Sequence, residues 1–290
     1  MFPHLHDDPG AFGGLPETPA FASARFAVLP IPYDGTSTWL KGADRGPDAL
    51  LAASANMELY DIRTASEPWR EGIVTMAPVT GHEAPEDMAA AVRATCAELL
   101  KAGKTVVGLG GEHSVTSGLV EAHADAHPGL QVLQFDAHGD TRDEYEGSRY
   151  NHACVMARAA ERCACTRVGI RSIDAAEAKN MDPERTFFAH RFAATPDQID
   201  AVVATLDPAR PVYITIDLDV IDPAEMPSTG TPEPGGLSYE QLVRSLDAVC
   251  AKRNVVGFDV VELLPDDRNP APDFLAARLV YQLMAFLGRK

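Results

Sequence analysis

Two short stretches hold more chemistry than the rest of the chain. Phe135-Asp136-Ala137-His138-Gly139-Asp140 places two carboxylates and a histidine within a few positions, directly after the apolar run Leu130-Gln131-Val132-Leu133. Further along, Ile216-Asp217-Leu218-Asp219 sets two carboxylates one residue apart, closing the run Val212-Tyr213-Ile214-Thr215-Ile216. Apolar, β-branched runs of this length read as buried strands. A carboxylate left unpaired at the mouth of such a strand is costly. A pair of divalent cations would neutralise the group, and paired ions about 3.5–4 Å apart also lower the pKa of a shared water. Hard oxygen donors with an imidazole suit Mn²⁺ better than a thiolate-rich zinc site.

The elements that must position these groups alternate between strand and helix. Residues 26–32 read as a first strand feeding the loop Tyr33-Asp34-Gly35-Thr36-Ser37-Thr38. Pro47 starts a helix, since proline suits the first helical turn. Residues 86–102 carry apolar positions at helical spacing (Met88, Val92, Cys96, Leu99), and Gly103 ends that helix. Thr105 to Leu109 is a strand, Ser114 to Ala126 a helix, Arg167 to Ile170 a strand and Ala175 to Lys179 a helix. Ser238 and Gln241 form a capping-box pattern that opens a helix to Val249. Residues 255–260 are a late strand, and 273–287 a closing helix. Alternating βα units imply a three-layer α/β/α sandwich around a mainly parallel sheet. The loaded segments then gather at the C-terminal edge of that sheet. No linker, repeat or low-complexity tract interrupts the chain, so residues 1–290 read as one domain, with about 1–24 as an N-terminal extension.

Composition narrows the function. The chain has 290 residues and a formal net charge of −17. Nucleic acid is excluded as a partner, because binding it needs basic patches. The field of such a protein attracts cationic substrates. No apolar run reaches the length of a membrane span, and the first residues lack the basic and apolar regions of a signal peptide. Five cysteines, an odd number in a large chain, point to reduced thiols and a cytoplasmic location.

Gly110-Gly111-Glu112-His113-Ser114, the 132–140 segment and Thr215-Ile216-Asp217-Leu218-Asp219, continuing through Pro223, Pro227 and Gly236, resemble the signatures of the ureohydrolases: arginase, agmatinase and relatives. The resemblance runs from the Ile31-Pro32-Tyr33-Asp34-Gly35 loop to Val261-Glu262 and is nearest to bacterial agmatinase. It implies an arginase-like fold and two Mn²⁺ ions. His113, Asp136, Asp140 and Asp217 would hold one ion; Asp136, His138, Asp217 and Asp219 would hold the other. It implies that His152 shuttles a proton to the leaving amine, that Glu262 pairs with the substrate guanidinium, and that Asp140 accepts the proton of the attacking water. It also implies a homo-oligomer, a trimer or hexamer. Glu112 departs from the Asp that many members carry; preceding the ligand histidine, it is expected to matter little.

Members of this group release urea and differ in the substrate's other end. The loop Thr141-Arg142-Asp143-Glu144-Tyr145-Glu146-Gly147-Ser148-Arg149-Tyr150 is rich in acids and resembles the agmatinase version, as do Glu58-Leu59-Tyr60-Asp61 and His152-Ala153-Cys154. Acids at the mouth favour an ammonium tail. Agmatine, giving putrescine and urea, is the expected substrate. Arginine, 4-guanidinobutyrate and aminopropylagmatine are alternatives, and Arg142 or Arg149 would be the residues to meet a substrate carboxylate. A non-catalytic metal-binding subunit is disfavoured by the full ligand set, and a one-zinc deacetylase by its two-metal character. Among the remaining polar residues, Asp222 before Pro223 reads as a turn residue. His123 and His127 lack the glutamate of a zinc-protease helix and are expected on a solvent-facing surface. Cys163 and Cys165 are expected to pack. Gly110-Gly111 lacks the Lys-Ser/Thr of a phosphate loop.

Overall fold

The computed structural model describes residues 11–289 except 18 and 195–197. Part of the expected N-terminal extension, residues 1–10 and 18, therefore lies outside the described residues. Eight strands form one sheet: β1 (Phe26–Ile31), β2 (Ile73–Thr75), β3 (Thr105–Gly110), β4 (Gln131–Phe135), β5 (Ala164–Ile170), β6 (Thr186–Phe188), β7 (Pro211–Asp217) and β8 (Asn254–Val261). Their order is β2-β1-β3-β8-β7-β4-β5-β6, and every pairing is parallel. The helices are α1 (Gly46–Ser54), α2 (Pro85–Lys101), α3 (Thr116–Ala126), α4 (Val155–Ala160), α5 (Ala175–Asn180), α6 (Ala189–Ala194), α7 (Gln198–Thr205), α8 (Tyr239–Lys252) and α9 (Ala271–Leu287).

A parallel sheet is buried on both faces, so its strands are apolar at successive positions. Alternate residues then serve two cores. Phe26 and Val28 of β1 join the core under α1, α6, α7, α8 and α9; Ala27, Leu29 and Ile31 join the core under α2, α3 and α4. On β7, Val212, Ile214 and Ile216 face the first core and Tyr213 the second. This two-sided burial explains why the strands announce themselves in the sequence as unbroken runs.

The helix signals act where expected. Ser238 accepts the Gln241 backbone N–H while the Gln241 side chain takes the Ser238 N–H, closing the capping box of α8. Gly103 follows α2 at φ 76°. The short elements β2, β6, α4, α6 and α7 went unread. Within the expected extension, Phe12 is a core residue whose N–H donates to Thr75 Oγ1. His123 corrects an expectation: it is fully buried rather than solvent-facing, its ring 4.5 Å from that of Tyr213 and its Nδ1 bonded to the Leu119 carbonyl. Burial pushes it down to about 4, so it packs as a neutral ring. Cys163 and Cys165 are buried, and all five cysteines are free. Asp222 anchors a turn, accepting the N–H groups of Ala224, Gly235 and Gly236. Among the described residues no helix is long and apolar enough to cross a membrane.

Candidate metal and active site

The chemistry gathers at the C-terminal ends of the four central strands. His113 follows β3, Asp136 follows β4, Asp217 ends β7 and Glu262 follows β8. The registers level these positions, with Phe135 opposite Ile216 and Asp217 opposite Val261. Gly111 makes the approach possible. Its N–H bonds to the Ile31 carbonyl, and a Cβ there would fall 2.0 Å from the Tyr33 carbonyl oxygen. Its own carbonyl receives the N–H of Glu262 at 2.8 Å. Both Asp140 and Glu262 adopt left-handed backbone, at φ 51° and 65°, a conformation uncommon for non-glycine residues.

His113 is the floor of the site and is buried. Its Nδ1 lies 3.2 Å from Asp136 Oδ2, 3.0 Å from Asp140 Oδ2 and 3.4 Å from Asp217 Oδ2. Close as these oxygens are, Nδ1 makes no hydrogen bond with sound geometry. The other ring nitrogen explains its state. Nε2 is 2.9 Å from Thr215 Oγ1, whose single hydrogen goes to Asp259 Oδ1 at 2.7 Å. Thr215 can therefore only accept from His113, so Nε2 carries the hydrogen. Tyr213 OH donates to the other Asp259 oxygen at 2.6 Å. Nδ1, ringed by carboxylate oxygens, then needs either a proton or a metal cation between it and them.

The second half of the cluster is built the same way. His138 Nδ1 lies 2.8 Å from Asp219 Oδ2 and 3.7 Å from Asp136 Oδ1. Gln134 Nε2 donates to Asp136 Oδ2, the Ala137 N–H to Asp219 Oδ1 and the Asp219 N–H to Asp217 Oδ1. Donor atoms of His113, Asp136 and Asp140 come together, as do those of Asp136, His138 and Asp219; Asp136 belongs to both sets. Asp217 adjoins the first set through its contact with His113.

The charge states follow from crowding. Burial, then the charges of Asp219 and Asp136, hold Asp217 well above the usual carboxylate range. Burial, then Asp136, raises Asp140 to about 6. Burial opposes the charge on His113, but Asp136, Asp140 and Asp217 outweigh it and lift that ring well above its ordinary value. Burial, then Glu112, raises Glu262. With protein groups alone the cluster draws protons inward, as a carboxylate nest short of positive charge must. The donors, oxygens and imidazole nitrogens with no thiolate, fit divalent cations.

Above the cluster opens a cavity of about 350 Å³, lined among others by Trp39, Tyr145, His152, Asp174, Glu177 and Glu262. Glu262 spends one oxygen on the His113 backbone N–H at 2.7 Å. His152 sits in a one-turn helix capped by Asn151. Both line the cavity. The acidic loop's carboxylates do not. Asp143, Glu144 and Glu146 are exposed and away from the cavity wall, which receives only Arg142 and Tyr145 from that segment. Asp143 turns outward to Arg149 and Arg158. The acids that do line the outer cavity, Asp174 and Glu177, come from the start of α5.

Glu112 also departs from expectation. It is fully buried, not incidental, and accepts from Thr36, Ser37 and Ser114. Thr36, Thr215, Tyr213 and Asp259 were missed as well. Their one sequence signal is polar character inside or beside an apolar strand.

The family model for the arginases matches residues 24–286. The chain belongs to the arginase family. This arginase-family chain is 38% identical over 280 residues to the N(1)-aminopropylagmatine ureohydrolase of Synechocystis, covering 93% of this chain and 91% of that one. It is 31% identical to the agmatinase of Pyrococcus horikoshii, covering 92% and 93% of the two chains. The crystal structure of the agmatine ureohydrolase of Thermoplasma volcanium superposes with a TM-score of 0.83 at 32% identity, covering 93% and 92%. Arginase-family ureohydrolases are binuclear-metal hydrolases acting on guanidino groups, and the donor sets around Asp136 could hold such metal.

Proposed function

We propose that residues 1–290 form a single ureohydrolase domain, cytoplasmic, which hydrolyses the guanidino group of a substrate with a cationic tail. The observation that carries the reading is the His113 Nδ1 ringed by three carboxylates at the floor of a cavity whose outer wall is acidic. Two Mn²⁺ ions suit the donors: one on His113, Asp136, Asp140 and Asp217, the other on Asp136, His138, Asp217 and Asp219. When bound, the divalent pair supplies Lewis acidity that makes a water nucleophilic near neutral pH.

The chain's own residues do the rest. The Glu262 oxygen not committed to His113 receives guanidinium N–H groups, a charge-assisted match for a carboxylate. Asp140 accepts a proton from the attacking water. The water oxygen joins the guanidino carbon, and the bond from that carbon to the alkyl nitrogen breaks. Its electron pair stays on nitrogen, and His152 takes up at Nε2 the proton that Asp140 removed from the water and passes it to that nitrogen, so the leaving group departs as a free amine.

The cavity wall favours a cationic tail. Arg142 is the one Lys or Arg among the described lining residues. Its guanidinium lies 4.4 Å from the Tyr145 ring centre and is flanked by Asp174 at 3.4 Å and Glu177 at 3.8 Å. Arg149 is paired with Asp143 and Glu161 outside the cavity. A substrate carboxylate would meet Asp174 and Glu177 with no uncommitted cation beside them. Agmatine satisfies this requirement. The longer N(1)-aminopropylagmatine does too, and is favoured by the higher identity to the relative of that name, 38% against 31% for the agmatinase.

The test is urea release with added Mn²⁺ from agmatine, N(1)-aminopropylagmatine, arginine and 4-guanidinobutyrate. The amine-tailed pair should exceed the carboxylates at least about a hundredfold in kcat/KM, roughly 2.7 kcal/mol of discrimination. Preference for arginine or 4-guanidinobutyrate would overturn the substrate class.

A further inference from the structure

We infer that Glu112, acting through Thr36, holds His152 as its Nδ1–H tautomer and so makes Nε2 the nitrogen that exchanges protons in the cavity. The inference rests on reading His152 as the proton carrier, and it gives Glu112 and Thr36 positioning roles.

The argument is an accounting of hydrogens. Glu112 is fully buried between β3 and the loop after β1. Its Oε2 accepts the Thr36 backbone N–H at 2.7 Å and the Ser37 hydroxyl at 3.2 Å. Its Oε1 accepts the hydroxyls of Thr36 at 2.7 Å and Ser114 at 2.6 Å. Burial raises the Glu112 carboxyl, and the hydrogen bonds from Ser114 and Thr36 oppose that by favouring its ionised form; as a carboxylate it offers about four lone-pair sites and no hydrogen, so four donors saturate it. Thr36 owns one hydroxyl hydrogen, and Glu112 holds it. What Thr36 Oγ1 presents to His152 is lone pairs. One meets the His152 backbone N–H at 3.0 Å; the other meets His152 Nδ1, also at 3.0 Å. Nδ1 must then supply the hydrogen of that bond. Burial, then the charges of His113 and His138, push His152 down to about 4, so the ring is neutral near pH 7 and carries a single hydrogen. With that hydrogen on Nδ1, Nε2 is left with its lone pair free. The Asn151 cap fixes the backbone at the same turn by accepting the Ala153 N–H at 3.0 Å.

Glu112→Gln tests this by reversing the accounting. The Thr36 backbone N–H cannot turn around, so the amide oxygen must take the Oε2 position. The amide NH₂ then faces Thr36 Oγ1. That oxygen accepts from the amide and turns its own hydrogen toward Nδ1, leaving His152 as the Nε2–H tautomer. The experiment follows the ¹⁵N shifts of the His152 ring in histidine-labelled holoenzyme loaded with diamagnetic Mg²⁺, assigned by comparison with His152→Asn. Metal content, kcat and KM are measured on Mn²⁺-loaded protein. The parent should show Nδ1–H. Glu112→Gln should show Nε2–H, with kcat down at least about tenfold, KM within about threefold and metal content unchanged. Thr36→Ser should keep the parent tautomer and most of kcat, whereas Thr36→Val should lose both. The Thr36 pair carries the test if Glu112→Gln does not fold. A parent tautomer with full kcat in Glu112→Gln or Thr36→Val would overturn the inference. If the ¹⁵N shifts follow the expected pattern but no guanidino compound is hydrolysed, the relay stands and the proposed reaction falls. If turnover is normal and the tautomer ignores both variants, the relay falls and the reaction stands.

Discussion

Asp140→Asn separates a cation-seeking carboxylate from a structural one. Asp140 stands at φ 51°, where asparagine is tolerated better than most residues. Its carbonyl accepts the N–H groups of Met156 and Ala157, which the substitution leaves in place. The change is therefore confined to the side chain, which loses its charge and exchanges one acceptor oxygen for an NH₂. Burial, then Asp136, raises this carboxyl from 3.8 to about 6. An acid that binds its proton more tightly folded than unfolded costs stability as pH rises. The cost is absent below the unfolded value and complete above the folded one. Two units at about 1.36 kcal/mol each give roughly 3 kcal/mol at pH 8. In chelator, Asp140→Asn should thus be more stable than the parent by about that amount at pH 8. The advantage should shrink through pH 6 and vanish toward pH 4. For a chain of 290 residues each kcal/mol moves Tm by about 1.6 °C, so the gain is roughly 5 °C. Saturating Mn²⁺ should reverse the order. Ligand at a thousand times Kd stabilises the parent by about 4.1 kcal/mol, more than the roughly 3 kcal/mol by which it trails. The variant, short of a ligand, gains less and releases no urea. Melting curves across pH, with and without chelator, read both signs; heat is the right denaturant because urea is the product and guanidinium mimics the substrate. An Asp140→Asn protein that melts below the parent in both conditions would refute the reasoning.

Two further outcomes follow from the same geometry. His152→Ala should keep its metal content and lose about 10²–10⁴-fold in kcat; metal analysis beside urea release checks it, and a loss of metal would make His152 a ligand. Tyr213→Phe should leave an oxygen of the buried Asp259 without its donor, costing about 1–3 kcal/mol of stability. Through Thr215 and His113 it should also weaken metal affinity about 10- to 100-fold. Unchanged metal titrations would sever Asp259 from His113.

What the sequence made legible, and what it did not, divides along a physical line. The central strands are buried on both faces and so carry apolar runs; β2 and β6, three residues each at the sheet edges, carry too little pattern to read. The proposed ligands were legible because their spacing is local: Asp136, His138 and Asp140 share one loop, Asp217 and Asp219 another. Asp259 was not, because its role arises only when β7 and β8 pair and set it opposite Thr215. Thr36 and Glu112 meet only because Gly111 lets two strand ends touch. The acidic loop misled for a related reason. Composition counts Asp143, Glu144 and Glu146, whereas only the folded backbone decides which way they point, and the lining acids came instead from the capping-box turn at Asp174 and Glu177.

The position of β8 has a consequence for the order in which the molecule can be made. It is the last strand in the chain, yet it lies in the middle of the sheet, between β3 and β7. Until residues 254–261 leave the ribosome, the sheet is two separate pieces. The piece β2-β1-β3 carries His113; the piece β7-β4-β5-β6 carries Asp136, His138, Asp140, Asp217 and Asp219. Among the described strands β8 is the one that pairs with both pieces. The strand that unites them also delivers Glu262 and the Asp259 that orients His113. Capture of the proposed metal pair would thereby wait on β8, and a ribosome-stalled fragment ending before β8 would hold all six proposed ligands without the strand that sets them side by side.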